Sequence, residues 1–271
     1  MVTEKGGKMT IGLITDFGEN DYFVGTLKGV IKKIDPHADI IDICHGVPSY
    51  FIQGGSYVLE KTYAFFPAGT IFLVVVDPGV GTLRKLLLVT AAGFSFIAPD
   101  NGILTPIFKL GKDTIVREID KDKYFLVSGS STFEARDRMA PVAAHLSKGV
   151  AASVIGSETS EYVVNMDYYP KQDQTDRIEG RIIHVDKFGN IISNVPGKWL
   201  FEKLLARGSQ HFKLQINDQE ISEYRQNYAS TSGLPFMLIG SHGNLEIAMN
   251  RRQAFRELKA QLNQKFVILF S

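Results

Sequence analysis

Asp77 and Arg84 stand seven residues apart in "FLVVVDPGVGTLRK", residues 72–85. A β-branched run ends at the acid, a Pro-Gly-Val-Gly turn follows, and the guanidinium comes after it. An arginine within reach of a carboxylate suits bidentate pairing. Two more acids end apolar runs: Asp16 after "GLIT" and Asp100 in "IAPDNG". Each alone reads as a turn former or helix cap. Three strand-end acids in one sheet would instead mark the edge where α/β proteins bind ligands. Hard cations take carboxylates, so a metal-dependent phosphohydrolase is one reading of the trio. Against it, His37, His45, His145, His184, His211 and His242 are scattered rather than set at ligand spacing. No G-x-G-x-x-G follows the first strand and no Gly-Lys-Ser/Thr loop exists. Carboxylates repel phosphates and accept from ribose hydroxyls, so a nucleoside fits better than a nucleotide.

The elements that place these residues follow from hydrophobic periodicity. Buried strands are expected at "IGLIT" (11–15), "DIIDIC" (39–44) and "TIFLVVV" (70–76), with a strand pair at "KLLLVTA" and "FSFIAPDNG". Helical spacing predicts "DYFVGTLKGVIKKI" (21–34), "GSYVLEKTYAFF" (55–66) and "RDRMAPVAAHLSKGV" (136–150), with Pro141 tolerable only near a first turn. Strands apolar on both faces, alternating with helices, predict a mostly parallel sheet covered on both sides. From about residue 151 the pattern changes. "ETSEYVVNMDYYPKQDQTD" reads as a linker, followed by short strands with Gly, Asn and Asp turns, an "INDQEI" hairpin and one helix at "KWLFEKLLA". The fold class is therefore α/β: an N-terminal Rossmann-like domain, residues 10–165, plus a smaller C-terminal antiparallel β-barrel domain, residues 176–271.

Composition excludes several classes. A formal net charge of +1 with no basic run argues against an electrostatic nucleic-acid binder. No apolar stretch is long enough to span a bilayer. The opening "MVTEKGGKMTIG" has no apolar h-region. Residues 1–8 are expected to be a frayed tail. A single cysteine, Cys44, excludes an internal disulfide and reads as an inert core thiol. A cytoplasmic enzyme is the class these features suit.

Six segments, "TDFGENDYFVG", "VVDPGVGTLRK", "APDNGILT", "STFEARDRMAPVAAHL", "HVDKFGNIISN" and "GSHGNLEIAMNR", occur in this order across both halves. Together they resemble the S-adenosylmethionine hydroxide adenosyltransferase family, relatives of fluorinating and chlorinating enzymes. The resemblance covers nearly the whole chain from residue 10. It implies a homotrimer whose sites lie between one subunit's N-domain and its neighbour's C-domain. It also implies hydrolysis of S-adenosylmethionine to adenosine and methionine, by attack of water on the ribose 5′ carbon, with no cofactor and no metal. The departing group is a neutral thioether, so the site needs a placed water in line with the C–S bond rather than a general acid. A halide beside Asp77 would meet like-charge repulsion, on the order of several kcal/mol in a low-dielectric pocket.

By this resemblance Asp77 and Arg84 match two members of a water-handling triad. The family's third member is a histidine in a Thr-Phe-His-Gly-Arg-Asp segment, where this chain has Thr132-Phe133-Glu134-Ala135-Arg136-Asp137. Glu134 either replaces the histidine, or turns away and leaves a slow hydrolase, or marks a protein that binds S-adenosylmethionine or adenosine without turnover. Asp16 matches the acceptor of the ribose hydroxyls. Tyr50, Thr132 and Phe133 match positions near the nucleoside, and Asp186 and Asn190 of "DKFGN" match contacts to methionine and nucleoside. The same two are also ordinary turn residues. Ser241, Glu246 and Met249 match further ligand contacts, and His242 stands where it could approach the methionine carboxylate.

Overall fold

The computed structural model describes residues 9–126, 131–172, 177–209, 211–229 and 233–270. The expected tail (1–8), the end of the expected linker (173–176) and the expected first residue of the second domain (176) lie outside the described residues. The chain forms two compact units that divide between Asn165 and Met166.

The first unit carries β1 (Thr10–Thr15), α1 (Phe23–Ile34), β2 (Asp39–Cys44), α2 (Ile52–Thr62), β3 (Ile71–Val75), β4 (Leu86–Ala91), β5 (Phe94–Pro99), β6 (Ile115–Glu118), α3 (Ala140–Ser147), α4 (Ala152–Ile155) and β7 (Ser157–Glu158). Its sheet has the order β2-β1-β3-β5-β4-β6-β7. β2, β1, β3 and β5 pair in parallel, as the Rossmann-like expectation requires. β4, β6 and β7 extend one side with antiparallel pairings.

β3 shows why the sheet needs helices on both faces. Ile71, Leu73 and Val75 pack with Leu27 and Ile31 of α1 and with Val142 of α3. The alternate residues Phe72 and Val74, with Val76 beyond the strand, pack with Leu59 of α2. Period-two alternation thus serves two apolar layers, each buried side chain contributing about 1.5–3 kcal/mol. The edge strand β2 departs from the expected all-apolar pattern: Asp39, Ile41 and Asp42 are exposed. α1 ends where Asp35 precedes Pro36 and turns extended. Ser147 Oγ then donates to Asp35 Oδ2 at 2.7 Å, tying the end of α3 to the end of α1.

The helix expected at 136–150 begins earlier and differently. Glu134 opens it, Ala135–Met139 form a π turn, and α3 continues from Ala140 with Pro141 in its first turn. π turns recur at functional sites. α2 begins at Ile52, three residues before the expected start, and 3₁₀ geometry takes over at Tyr63–Phe65.

The second unit is antiparallel and barrel-like. It holds β8 (Lys171–Gln172), β9 (Arg177–Val185), β10 (Ile191–Pro196), α5 (Gly197–Ala206), β11 (Phe212–Ile216), β12 (Gln219–Ile221), β13 (Phe236–Ile239), β14 (Asn244–Ala248), α6 (Ala254–Glu257) and β15 (Lys265–Phe270). The strand order is β12-β11-β15-β9-β10-β14-β13, with β8 on β9. Ile216 pairs with Gln219 across the expected hairpin, and Asn217 takes a left-handed φ of 51°. Part of the expected linker is structured, since the last residue of β7, a 3₁₀ turn at Met166–Tyr168 and β8 fall within it.

Candidate active site

The register of β1 and β3 brings the first two acids together. Thr15 stands opposite Val75, so Asp16 and Asp77 leave the sheet side by side at its carboxyl edge. Both line a cavity of about 610 Å3 together with Tyr50, Thr132, Phe133 and Glu134. Asp100, the third strand-end acid, is not among the lining residues; its carboxylate accepts the Val163 N–H at 2.8 Å. The strand-end trio therefore does not converge. Among the described residues no group of three or more His, Cys, Asp or Glu side chains is placed to hold a metal ion.

Asp77 and Arg84 form the bidentate pair that their spacing suggested. Arg84 Nε donates to Asp77 Oδ1 and Oδ2 at 2.8 Å, and Nη2 donates to Oδ2. The turn between them is part of the device. Gly79 N–H donates to Asp77 Oδ1 at 3.1 Å, and a Cβ on Gly79 would lie 3.3 Å from Arg84 Cδ. Gly81 has φ 81°, which favours glycine.

Glu134 joins this pair from the π turn. Its Oε2 lies 2.6 Å from Arg84 Nη1, and its Oε1 lies 3.0 Å from Arg138 Nη1, one turn along. The Oε2–Nη1 contact is an ion pair without hydrogen-bond alignment, and neither atom has a hydrogen-bond partner among the described residues. Asp77, Arg84 and Glu134 side chains are all within 10% of fully buried, at 7%, 9% and 7% exposure. Burial pulls the Arg84 guanidinium down, but the hydrogen bonds to Asp77 and the charges of Asp77 and Glu134 outweigh it and hold Arg84 above its ordinary value. The result is an alternating row, carboxylate–guanidinium–carboxylate–guanidinium.

Asp16 is fixed differently. Its Oδ2 accepts the Tyr50 backbone N–H at 2.9 Å. Burial, above all, raises its pKa over the ordinary carboxylate value; the Tyr50 N–H opposes this and the Asp77 charge adds to it. Tyr50 is 71% exposed, a rim residue of the cavity in this unit rather than a core aromatic. Behind Asp16 runs a second polar row that the sequence had not marked. Lys28 Nζ meets Asp42 Oδ2 at 2.5 Å, His45 Nε2 meets Asp42 Oδ1 at 3.0 Å, and the Thr15 hydroxyl meets His45 Nδ1 at 2.8 Å. Thr15 Oγ1 also accepts the Phe17 N–H at 3.2 Å, which leaves its own proton for His45. The row pins the backbone on both sides of Asp16.

The cavity wall is aromatic. Phe133 meets Phe17 and Phe23 edge-on at centroid distances of 5.9 and 5.3 Å, and the Arg136 guanidinium lies over the Phe133 ring at 5.0 Å. Arg136 is itself bidentate to Asp137 at 2.7 and 2.9 Å. Phe17, Asp21 and Phe23 line the cavity but were not singled out, although all lie in the quoted segment "TDFGENDYFVG". Phe23 was read only as part of the apolar face of the expected helix 21–34.

The remaining expected residues belong to the second unit, which has its own cavity of about 600 Å3, lined in part by Asp186, Asn190, Tyr228 and Met249. Asp186 Oδ1 accepts the N–H groups of Phe188 and Asn190 at 2.9 and 2.8 Å, and Oδ2 accepts Asn190 Nδ2 at 2.8 Å. The turn reading and the cavity-wall reading thus both describe this pair. Ser241 and Glu246 do not line the cavity. Glu246 is buried and reaches it through Tyr228, whose hydroxyl donates to Oε1 at 2.9 Å, while His242 Nε2 meets Oε2 at 3.1 Å. Sequence reasoning missed Tyr228, which sits in a loop without periodicity.

A model of the SAM hydroxide adenosyltransferase N-terminal domain matches residues 11–156, and one of the C-terminal domain matches residues 180–267. The chain belongs to this family. Among its relatives, the (R)-S-adenosyl-L-methionine hydrolase of Methanocaldococcus jannaschii is 38% identical over 191 residues, 68% of this chain and 66% of that protein. The (R)-S-adenosyl-L-methionine hydrolase of Thermus thermophilus is 30% identical over 249 residues, 89% of this chain and 92% of that one. Fluorinases match at lower identity. A crystal structure of an uncharacterized conserved protein from Thermotoga maritima superposes with a TM-score of 0.83 at 33% identity, covering 96% of this chain and 99% of that one. In this chain the acid at position 134 is packed onto Arg84.

Proposed function

We propose that this chain hydrolyses S-adenosylmethionine to adenosine and methionine, water displacing the thioether at the ribose 5′ carbon. The observation that carries the reading is Asp77, clamped by Arg84 on the wall of the cavity that Asp16 and Tyr50 also line, in a member of a family whose relatives include named S-adenosylmethionine hydrolases. Asp16 accepts the ribose hydroxyls, a task for a carboxylate with two acceptor oxygens. Thr132 and Phe133 flank the sugar and the reacting carbon. Asp77 accepts a proton or hydrogen bond from the attacking water, and Arg84 fixes its orientation. The C–S bond breaks as the new C–O bond forms, the sulfur takes the bonding pair, and the water's proton passes to the acid. The substrate brings its own activated carbon, so no cofactor enters the reaction.

Asp186, Asn190, Ser241, Glu246 and Met249 complete the binding of nucleoside and methionine in this reading, contributed by a neighbouring subunit of a homotrimer. Each unit has a cavity that carries part of the expected residue set, which supports it. A cytoplasmic location agrees with a chain holding a single cysteine.

One observation favours a second reading, a protein that binds S-adenosylmethionine without turnover: both Glu134 oxygens are engaged by arginines. Incubation of purified protein with S-adenosylmethionine, followed by chromatography, separates the two. Equimolar adenosine and methionine, insensitive to chelator, is the expected result. Tight binding without product would support the second reading, and product lost on chelation would revive a metal-dependent one.

A further inference from the structure

We propose that Arg138 is a positioning residue for the hydrolysis, acting through Glu134; the inference rests on the hydrolase reading above. Glu134 lines the substrate cavity, yet its carboxylate is turned onto Arg84. Its contact with Arg84 lacks hydrogen-bond alignment, so direction alone does not hold it there. The second anchor is Arg138, 3.0 Å from Oε1. Arg138 is itself steadied, its guanidinium lying over the Phe125 ring at 5.3 Å. The π turn Ala135–Met139 sets both ends of this link, since it joins Glu134 to Ala140 and carries Arg138 within it.

Charge gives the same answer as geometry. Asp77, Arg84 and Glu134 sum to one negative charge in a nearly dry cluster, and Arg138 neutralises it. Removing Arg138 leaves Glu134 with a single, poorly aligned partner and an excess negative charge. The carboxylate then turns into the cavity, where it competes for the water that Asp77 and Arg84 must align. That fault lowers turnover more than substrate binding.

The test uses the full chain and follows adenosine release from S-adenosylmethionine in wild type, Arg138→Met, Arg138→Lys, Glu134→Gln and the Glu134→Gln/Arg138→Met double variant. Arg138→Met is expected to lose about tenfold in kcat with KM within about threefold. Arg138→Lys keeps most of the turnover, because a single cation suffices for one carboxylate oxygen. The double variant is expected to lose no more than Glu134→Gln alone, the mark of two residues acting as one unit. An unchanged kcat in Arg138→Met, or losses that multiply in the double variant, overturns the inference and leaves the hydrolase reading standing. A wild type that yields no adenosine overturns both. Arg138→Gln replaces Arg138→Met in the comparison if the methionine variant melts below the assay temperature.

Discussion

Tyr50 holds its backbone in the left-handed region, at φ 66°, with its N–H donated to Asp16 Oδ2 at 2.9 Å. For a residue with a Cβ this conformation costs on the order of 1–2 kcal/mol, which the surrounding structure must offset. The strained rim and the acid proposed to receive the ribose are therefore one device. Asp16→Asn keeps an acceptor for Tyr50 and loses the charge, whereas Asp16→Ala loses both. Steady-state kinetics should show KM raised by both and more by alanine, at least about tenfold. Equal KM values in Asp16→Ala and wild type would remove Asp16 from the binding site.

Asp16 also ties stability to pH. Its folded pKa is raised, chiefly by burial, so the folded state holds this proton more tightly than the unfolded chain does. The stabilisation from that proton is complete below the unfolded value and is lost as pH rises through the folded one. Asp16→Asn removes the penalty. It should melt above wild type at pH 7, and the gap should close as pH falls below about 4. A gap independent of pH would contradict this.

Arg84 carries two nearly buried carboxylates, Asp77 and Glu134. Arg84→Ala strands Asp77 and leaves Glu134 with Arg138 alone, and should cost about 3–5 kcal/mol in urea unfolding. Arg84→Lys should not restore activity, since an ammonium cannot reproduce the fork that meets Asp77. Asp77→Ala should reduce kcat at least about tenfold, roughly 1.4 kcal/mol. Full activity in Asp77→Ala would remove it from the mechanism.

Tyr228 supports Glu246 in the second unit. Burial first, then its bond to Glu246, pushes the phenol pKa up, which keeps the hydroxyl a donor. Tyr228→Phe leaves the buried Glu246 with the His242 contact and should cost about 1–2 kcal/mol by chemical denaturation. A loss below about 0.3 kcal/mol would show that solvent replaces the hydroxyl.

What the sequence made legible divides along physical lines. β1, β3 and the Asp77–Arg84 pair were readable because long β-branched runs and a glycine turn signal themselves locally. β6 and β7 were missed, being short and partly polar strands at one side of the sheet that only pairing stabilises. The Lys28–Asp42–His45–Thr15 row was invisible because it joins residues distant in the chain. The direction of the Glu134 side chain depends on the π turn, which has no compositional signature. Asp100 was grouped with Asp16 and Asp77 by its position after a strand, yet its carboxylate is taken up by the Val163 backbone.

The π turn at Ala135–Met139 has one more consequence. Such a turn differs from a regular helix by a single inserted residue. Deleting one residue there would rewind the segment and rotate Glu134 by about 100° about the axis, while α3 kept its seat on the sheet. A gain or loss of one residue there re-aims the acid beside Arg84 and leaves the architecture behind it untouched.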